Sequence, residues 1–126
     1  MWTFIQTGYF SVVAFDRNRD GLGVPRPADA EPDDLLLVRT RTRGDLVAML
    51  TALELPGSRA ASSPKADYPW RAVLTRSEWG RFLVLETENL KDGNFKSRVM
   101  DTAGRDRHDA YLRVWSTLHS LRDEAS

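Results

Sequence analysis

Two short sequences that can begin helices constrain the fold of this chain more than any other feature. Thr42-Arg-Gly-Asp45 and Thr75-Arg-Ser-Glu78 each follow a run of β-type residues and precede a run of helix-type residues. In a capping box, the threonine hydroxyl accepts a free N–H of the first turn, and the acid three residues later reaches back to the threonine N–H. The two sequences therefore predict two junctions at which a strand passes directly into a helix.

The first part of the chain is rich in strand-type segments. Each segment combines an alternating pattern of side chains with β-branched or aromatic residues, and this combination is typical of strands. Gly8 separates the first two, which predicts a hairpin with a tight turn. The predicted strands are residues 2–7, 10–15, 34–42 and 68–75. Residues 17–33, "RNRDGLGVPRPADAEPD", are dense in Pro, Gly and Asp and predict an irregular loop.

The later part of the chain is rich in helix-type segments. The predicted helices are residues 45–55, 77–89 and 94–103, followed by one that begins at Asp106. In the last helix an apolar stripe recurs at helical spacing, formed by Tyr111, Val114, Trp115, Leu118 and Leu121. Strands early and helices late predict one α+β domain over residues 1–126, with a four-stranded, mainly antiparallel sheet and three or four helices on one face.

Composition excludes several classes of function. The chain of 126 residues has no cysteine, which excludes disulfides, thiolate metal sites and cysteine nucleophiles. Its 18 basic and 18 acidic side chains balance, which argues against tight non-specific binding to duplex DNA. The apolar start, "MWTFIQTGYFSVVAF", lacks the features of a secretory signal and is too short to span a bilayer. We therefore expect a cytoplasmic protein without a membrane partner.

The sequence Asp16-Arg-Asn18-Arg-Asp20-Gly21 matches the opening of a calcium-binding loop. The twelfth position of such a loop needs a bidentate acid, and here it is Pro27. Asp, Asn and Gly are also the ordinary residues of a turn that leaves a hairpin. We therefore predict a turn and no metal site, and weak calcium binding at residues 16–21 stays open.

Basic and aromatic residues suggest a ligand-binding surface. Arg39 and Arg41 lie on the same side of the third predicted strand, and Arg71 alternates with Trp70 in the fourth. Side by side, these strands would form a cationic patch, with Trp70 or the nearby Tyr68 as a stacking platform for a base. The alternative is that the charges only protect strand edges. The predicted ligand-binding residues are Arg39, Arg41, Trp70, Arg71, Lys96, Arg105 and His108.

Two other classes of function remain open. A protein–protein module, including a homodimeric one, would use exposed aromatic residues such as Trp2, Tyr9 or Trp79. An acid–base enzyme would use His108, and its companions near Gly104 would be Asp101, Arg105 and Tyr111. The same residues also fit helix caps and intrahelical ion pairs. The sequence favours a small intracellular binding or regulatory module without a cofactor, whose ligand is nucleic acid or another phosphate-bearing partner.

Four segments of the chain resemble a family of short uncharacterised bacterial proteins. They are "MWTFIQTGYFSVV", "DYPWR", "NFK" and "YLRVW", and the resemblance spans most of the chain. It implies no activity, because none is assigned to that family. The similar proteins join the second and third strands by a shorter link, so the resemblance implies that residues 17–33 are an elaboration of this chain.

Overall fold

The computed structural model describes residues 1–20, 23–91, 93 and 95–121. The chain divides into two compact units, residues 1–90 and 91–126, and each is described by itself. The first unit contains a sheet and its helices, and the second contains a pair of helices. A single domain over residues 1–126 stays a prediction.

The first unit is built on an antiparallel sheet of five strands. These are β1 (Trp2–Phe4), β2 (Tyr9–Ala14), β3 (Leu35–Thr40), β4 (Ala61–Ser62) and β5 (Trp70–Thr75), and their order across the sheet is β1-β2-β3-β5-β4. The α+β class and the antiparallel sheet are therefore confirmed, but the predicted number of four strands is wrong. The additional strand, β4, is only two residues long, and a segment this short carries no periodicity by which the sequence could reveal it.

The described residues form one single α-helical turn and four longer α-helices. The turn is α1 (Arg17–Asp20), and the longer helices are α2 (Arg43–Ala52), α3 (Arg76–Glu88), α4 (Phe95–Ala103) and α5 (Arg105–Leu118). The capping box at Thr75 and Glu78 is confirmed, because both of its hydrogen bonds are formed. At α2, the Thr42 hydroxyl accepts the N–H of Asp45 at 3.2 Å, as predicted.

One face of the sheet packs against α2 and α3. Phe10 and Val12 of β2 and Leu36 and Val38 of β3 are buried together with side chains of these helices. The ring of Phe10 lies 5.3 Å from that of Phe82 and 5.8 Å from that of Trp79, between centroids. This is the main core of the first unit, and it leaves the odd-numbered side chains of β2 and β3 on the second face.

The second face of the sheet has an apolar end and a polar end. At the apolar end, Leu35, Leu37 and Val73 are buried, and Val24 and Ala30 of the long loop pack against them. The polar end begins where β3 changes from leucines to Arg39. The loop packs on the apolar end. Arg39, at the polar end, lies outside the apolar cluster formed by Leu35, Leu37 and Val73.

The loop predicted over residues 17–33 contains α1 and ends beside a 3-10 turn at Pro32–Asp34. The side chain of Asp16 caps α1 locally, since its Oδ1 accepts the N–H of Asn18 at 2.9 Å. Of the calcium motif, Gly21 and the side chain of Asp20 lie outside the described residues. Among the described side chains, no three His, Asp or Glu converge as a metal site would require.

The second unit consists of α4 and α5. Gly104 joins them with a φ of 86°, a left-handed conformation that favours glycine. The rings of Phe95 and Tyr111 stack, with centroids 5.9 Å apart, and Tyr111 is buried. Further along the predicted stripe, Trp115 and Leu118 are about half exposed. In the described part of the chain, no helix has the length and apolar character needed to cross a membrane.

Candidate functional site

A line of directly paired residues crosses the second face of the sheet. Trp2 pairs with Ser11, Ser11 pairs with Arg39, and Arg39 pairs with Arg71. Residues that face each other on neighbouring strands project their side chains from the same face. Trp2, Ser11, Arg39 and Arg71 therefore lie on one face, opposite to α2 and α3, and we call this line the central row.

Tyr68 is the residue on which the arginines converge. It lies just before β5, and only 9% of its surface is exposed. The guanidinium carbons of Arg39 and Arg41 lie 4.8 and 4.9 Å from the centroid of its ring, within the range of cation–π contacts. Arg71 Nε donates a hydrogen bond to the carbonyl oxygen of Tyr68 at 3.3 Å. We call Arg39, Arg41 and Arg71 the arginine cluster.

The positive charge of the arginine cluster is only partly balanced. Arg41 lies 3.5 Å from the carboxylate of Asp67, and their side chains are 54% and 76% exposed, so this ion pair contributes little. Within the described residues, neither Arg39 nor Arg71 has a carboxylate at ion-pair distance. Three guanidinium groups and one exposed carboxylate leave a net positive charge on this part of the sheet.

Hydrogen bonds orient Arg39 within the cluster. Its Nη2 donates to the hydroxyl of Ser11 at 2.8 Å, across from β3 to β2. Its Nε is buried and has no hydrogen-bond partner among the described residues. The side chain is thus held by Ser11 and by the ring of Tyr68, while part of its hydrogen-bonding capacity is unused.

A pair of tyrosines completes the site. The hydroxyl oxygens of Tyr9 and Tyr68 lie 2.9 Å apart, and the ring of Phe4 stacks on that of Tyr9 at 4.5 Å between centroids. Burial, followed by the contact with Tyr68, raises the pKa of Tyr9 to about 12. The hydrogen bond with Tyr9, and then those with Arg41 and Ser11, lower the pKa of Tyr68 in spite of its burial. Either hydroxyl can be the donor in this hydrogen bond.

This arrangement suits the binding of an anion. A guanidinium group offers several N–H donors in one plane, which match the oxygens of a phosphate or a carboxylate. The contacts with Tyr68 and Ser11 hold the side chains in place before a ligand arrives, so less side-chain entropy is lost on binding.

The structure brings together three of the predicted ligand-binding residues, and it separates Trp70 from them. Arg39 and Arg71 share the second face by direct pairing, and Arg41, just after the end of β3, joins them through its contact with Tyr68. Trp70 precedes Arg71 in β5 and therefore projects from the opposite face, where it packs against the main core. The guanidinium carbon of Arg43 lies 6.0 Å from the centroid of the Trp70 ring. The prediction that Trp70 is the stacking platform beside these arginines is wrong.

The other predicted residues belong to the second unit. Lys96 Nζ lies 4.6 Å from the centroid of the Trp115 ring, and Arg105 is exposed at the first position of α5. His108 Nδ1 lies 3.2 Å from a carboxylate oxygen of the adjacent Asp109. The roles in ligand binding or catalysis that the sequence suggested for these residues stay predictions.

The aromatic residues predicted for a protein interface differ in their exposure. Trp2 is 71% exposed, Tyr9 is half-buried, and Trp79 is only 4% exposed in the core below α3. Trp79 is therefore corrected to a core residue, because the apolar face of α3 packs it against Phe10 and Phe82.

Sequence reasoning missed Ser11, and it named Tyr68 only as an alternative stacking platform. Alternation along β2 places Ser11 on the same face as Tyr9, but only the register of β2 against β3 brings it to Arg39. The predicted strand 68–75 includes Tyr68, but β5 begins at Trp70, so strand alternation does not indicate where the ring of Tyr68 lies. Comparisons of the chain with protein-family models, with curated proteins and with solved structures gave no match, and the family resemblance stays a prediction.

Proposed function

We propose that this protein is a small binding module for a phosphate-bearing ligand, which the arginine cluster holds on the second face of the sheet. The observation that carries this proposal is the convergence of Arg39, Arg41 and Arg71 on the half-buried polar end, around Tyr68. A cluster of like charges is unfavourable by itself, and an anionic ligand would relieve the repulsion. Function without a cofactor and a cytoplasmic location belong to the same proposal.

A phosphate fits the arginine cluster better than a single carboxylate does. A phosphate group has more acceptor oxygens, and each guanidinium group can donate to two of them in parallel. Two arginines on neighbouring strands and a third just after the end of β3 can therefore contact one phosphate from several sides, or two phosphates in sequence. The sequence predicts nucleic acid or another phosphate-bearing partner, and the backbone of a nucleic acid supplies such phosphates.

The experiment compares binding of pyrophosphate and of a short oligonucleotide by calorimetry, at low and at moderate salt. We expect the double variant Arg39→Gln/Arg71→Gln to bind both at least tenfold more weakly than the wild type. For single-stranded nucleic acid, the slope of log K against log salt should fall by about 0.7 for each phosphate that the variant no longer neutralises. The single variant Arg41→Gln changes an exposed side chain and provides the same test if the double variant is poorly folded.

The matched control is Arg81→Gln/Arg113→Gln, which removes the same charge from two exposed positions on α3 and α5. The proposal predicts affinities close to those of the wild type for this control. It is wrong if the wild type binds neither pyrophosphate nor the oligonucleotide at low salt, or if the control loses as much affinity as the cluster variants.

A further inference from the structure

We propose that the phosphate-bearing ligand is single-stranded nucleic acid, and that the indole of Trp2 stacks on one of its bases. This inference rests on the proposed function and specifies its ligand. It assigns to Trp2 the role that the sequence suggested for Trp70, and it follows from the pairing of the strands.

Trp2 is placed beside the arginine cluster by the register of the sheet. It belongs to the central row and therefore shares a face with Ser11, Arg39 and Arg71. Two strand spacings separate β1 from β3, which corresponds to about 10 Å. An indole and a row of guanidinium groups at this separation can contact a base and the neighbouring phosphates of one strand at the same time.

The ring of Trp2 is available for stacking. Trp2 is 71% exposed, and among the described residues its ring has no aromatic or cationic partner. The next ring on the same face, Phe4, is stacked on Tyr9, and Tyr68 is covered by the arginines. Among Trp2, Phe4 and Tyr68, Trp2 is therefore the one whose flat surface a ligand can reach.

The combination of groups favours a single strand over a duplex or an acidic peptide. In a duplex the bases are stacked on one another, so no base is available to stack on an indole of the sheet. The charge of the chain is balanced overall, so the many phosphate contacts of a tight duplex binder are not supplied. An acidic or phosphorylated peptide would use the arginines but would gain little from the exposed indole. Stacking platforms beside a cationic groove are the usual means of binding single strands.

The experiment uses the full chain and measures binding of three probes by fluorescence anisotropy or calorimetry. The probes are an unstructured oligothymidylate, an abasic oligonucleotide of the same length and a doubly phosphorylated peptide. We expect Trp2→Ala to weaken oligothymidylate binding roughly 5- to 150-fold, the range that corresponds to base–aromatic stacking. Binding of the abasic strand and the salt dependence should stay as in the wild type, because the phosphate contacts are unchanged.

Two further variants sharpen the test. Trp2→Phe keeps an aromatic face and should recover part of the affinity that Trp2→Ala loses. Trp115→Ala removes another indole that is more than half exposed, in the second unit, and should bind oligothymidylate like the wild type. Circular dichroism on each variant checks that the fold is retained.

The outcomes separate this inference from the proposed function. If Arg39→Gln/Arg71→Gln weakens binding but Trp2→Ala does not, the phosphate-binding function stands and the role of Trp2 is wrong. If the peptide binds more tightly than oligothymidylate, the ligand class is wrong. If light scattering shows a dimer that Trp2→Ala dissociates without loss of oligothymidylate binding, Trp2 forms an interface between copies and the inference fails. If the wild type binds none of the three probes, the proposed function itself fails.

Discussion

Arg39 and Arg71 face each other directly on neighbouring strands in the middle of the sheet. Two like charges in this position destabilise a sheet by about 0.2–1 kcal/mol. Each of them is held by a hydrogen bond, Arg39 to the hydroxyl of Ser11 and Arg71 to the carbonyl oxygen of Tyr68. Their repulsion is thus maintained by the fold, which is the arrangement expected where an anion binds.

The repulsion between Arg39 and Arg71 predicts a salt-dependent stability. Salt shortens the screening length from about 30 Å at 0.01 M to about 3 Å at 1 M, which weakens the repulsion between partly exposed charges. We expect added sodium chloride to raise the free energy of unfolding of the wild type more than that of Arg71→Gln, by about 0.2–1 kcal/mol. Urea unfolding at the two salt concentrations measures the difference. Arg81→Gln, on the exposed side of α3, should respond to salt like the wild type, and an equal response of Arg71→Gln would contradict the prediction.

Glu78 links the start of α3 to a largely buried arginine, and this predicts an acid-sensitive stability. Its carboxylate accepts the N–H of Thr75 at 2.9 Å and two hydrogen bonds from Arg59, at 2.8 and 3.2 Å. Burial acts to raise the pKa of Glu78, but the hydrogen bonds from Arg59 and Thr75 outweigh it and lower the pKa below its ordinary value of 4.5. The charged form is therefore stabilised by folding.

A carboxyl group with a lowered pKa stabilises the fold fully above its unfolded pKa, and this contribution is lost as the pH falls through its folded pKa. We expect Glu78→Gln to cost about 1–2 kcal/mol at neutral pH, because hydrogen bonds between charged groups are replaced by weaker ones. Below the ordinary pKa of 4.5 the difference should shrink. Urea unfolding across this pH range measures it. The control is Glu88→Gln, at the exposed end of the same helix, whose difference in free energy of unfolding from the wild type should not shrink in this way. If the difference for Glu78→Gln stays constant as the pH falls, the stabilising role of the Glu78 carboxylate is refuted.

Gly8, in the connection between β1 and β2, lies too close to Asp45 of α2 to carry a side chain. A Cβ atom there would lie 2.5 Å from Cγ of Asp45, whose carboxylate accepts the N–H of Tyr9 at 3.0 Å. We expect Gly8→Ala to reduce the free energy of unfolding by roughly 1–3 kcal/mol, because Asp45 must move and its hydrogen bond with Tyr9 is then broken. Thermal and urea unfolding measure the effect.

Gly44 provides the matched control for Gly8. It lies in the first turn of α2, and a Cβ atom there would meet nothing within 4 Å. Gly44→Ala should leave stability unchanged or raise it by up to about 1 kcal/mol, since alanine favours the helix. If both alanine variants behave alike, the close approach between Gly8 and Asp45 is not what makes the first position sensitive.

Features that depend on neighbours in sequence were predictable. The capping box at Thr75 and Glu78 is a local motif, and its hydrogen bonds form as the residue types require. Alternation placed Arg39 and Arg41 on one side of a strand, and the same rule separates Trp70 from Arg71. Alternation along the strand is therefore sufficient to exclude Trp70 from the arginine cluster, without any structure.

Features that depend on the pairing of distant segments were not predictable. Asp45 belongs to a capping sequence, yet its carboxylate binds the backbone of Tyr9, which lies 36 positions away. Tyr68 reaches Tyr9 over 59 positions, and only the pairing order of the strands makes this contact possible. The position of Trp2 beside the arginines also follows from the register of three strands, which no single segment determines.

The lengths of the outermost strands have a consequence for how this protein behaves at high concentration. β1 has three residues and β4 has two, so each border of the sheet offers only a short stretch of main chain to an incoming peptide. Fibril growth and strand exchange need longer uninterrupted borders to gain enough hydrogen bonds. Crowding of many copies should therefore not extend the sheet from one molecule into the next.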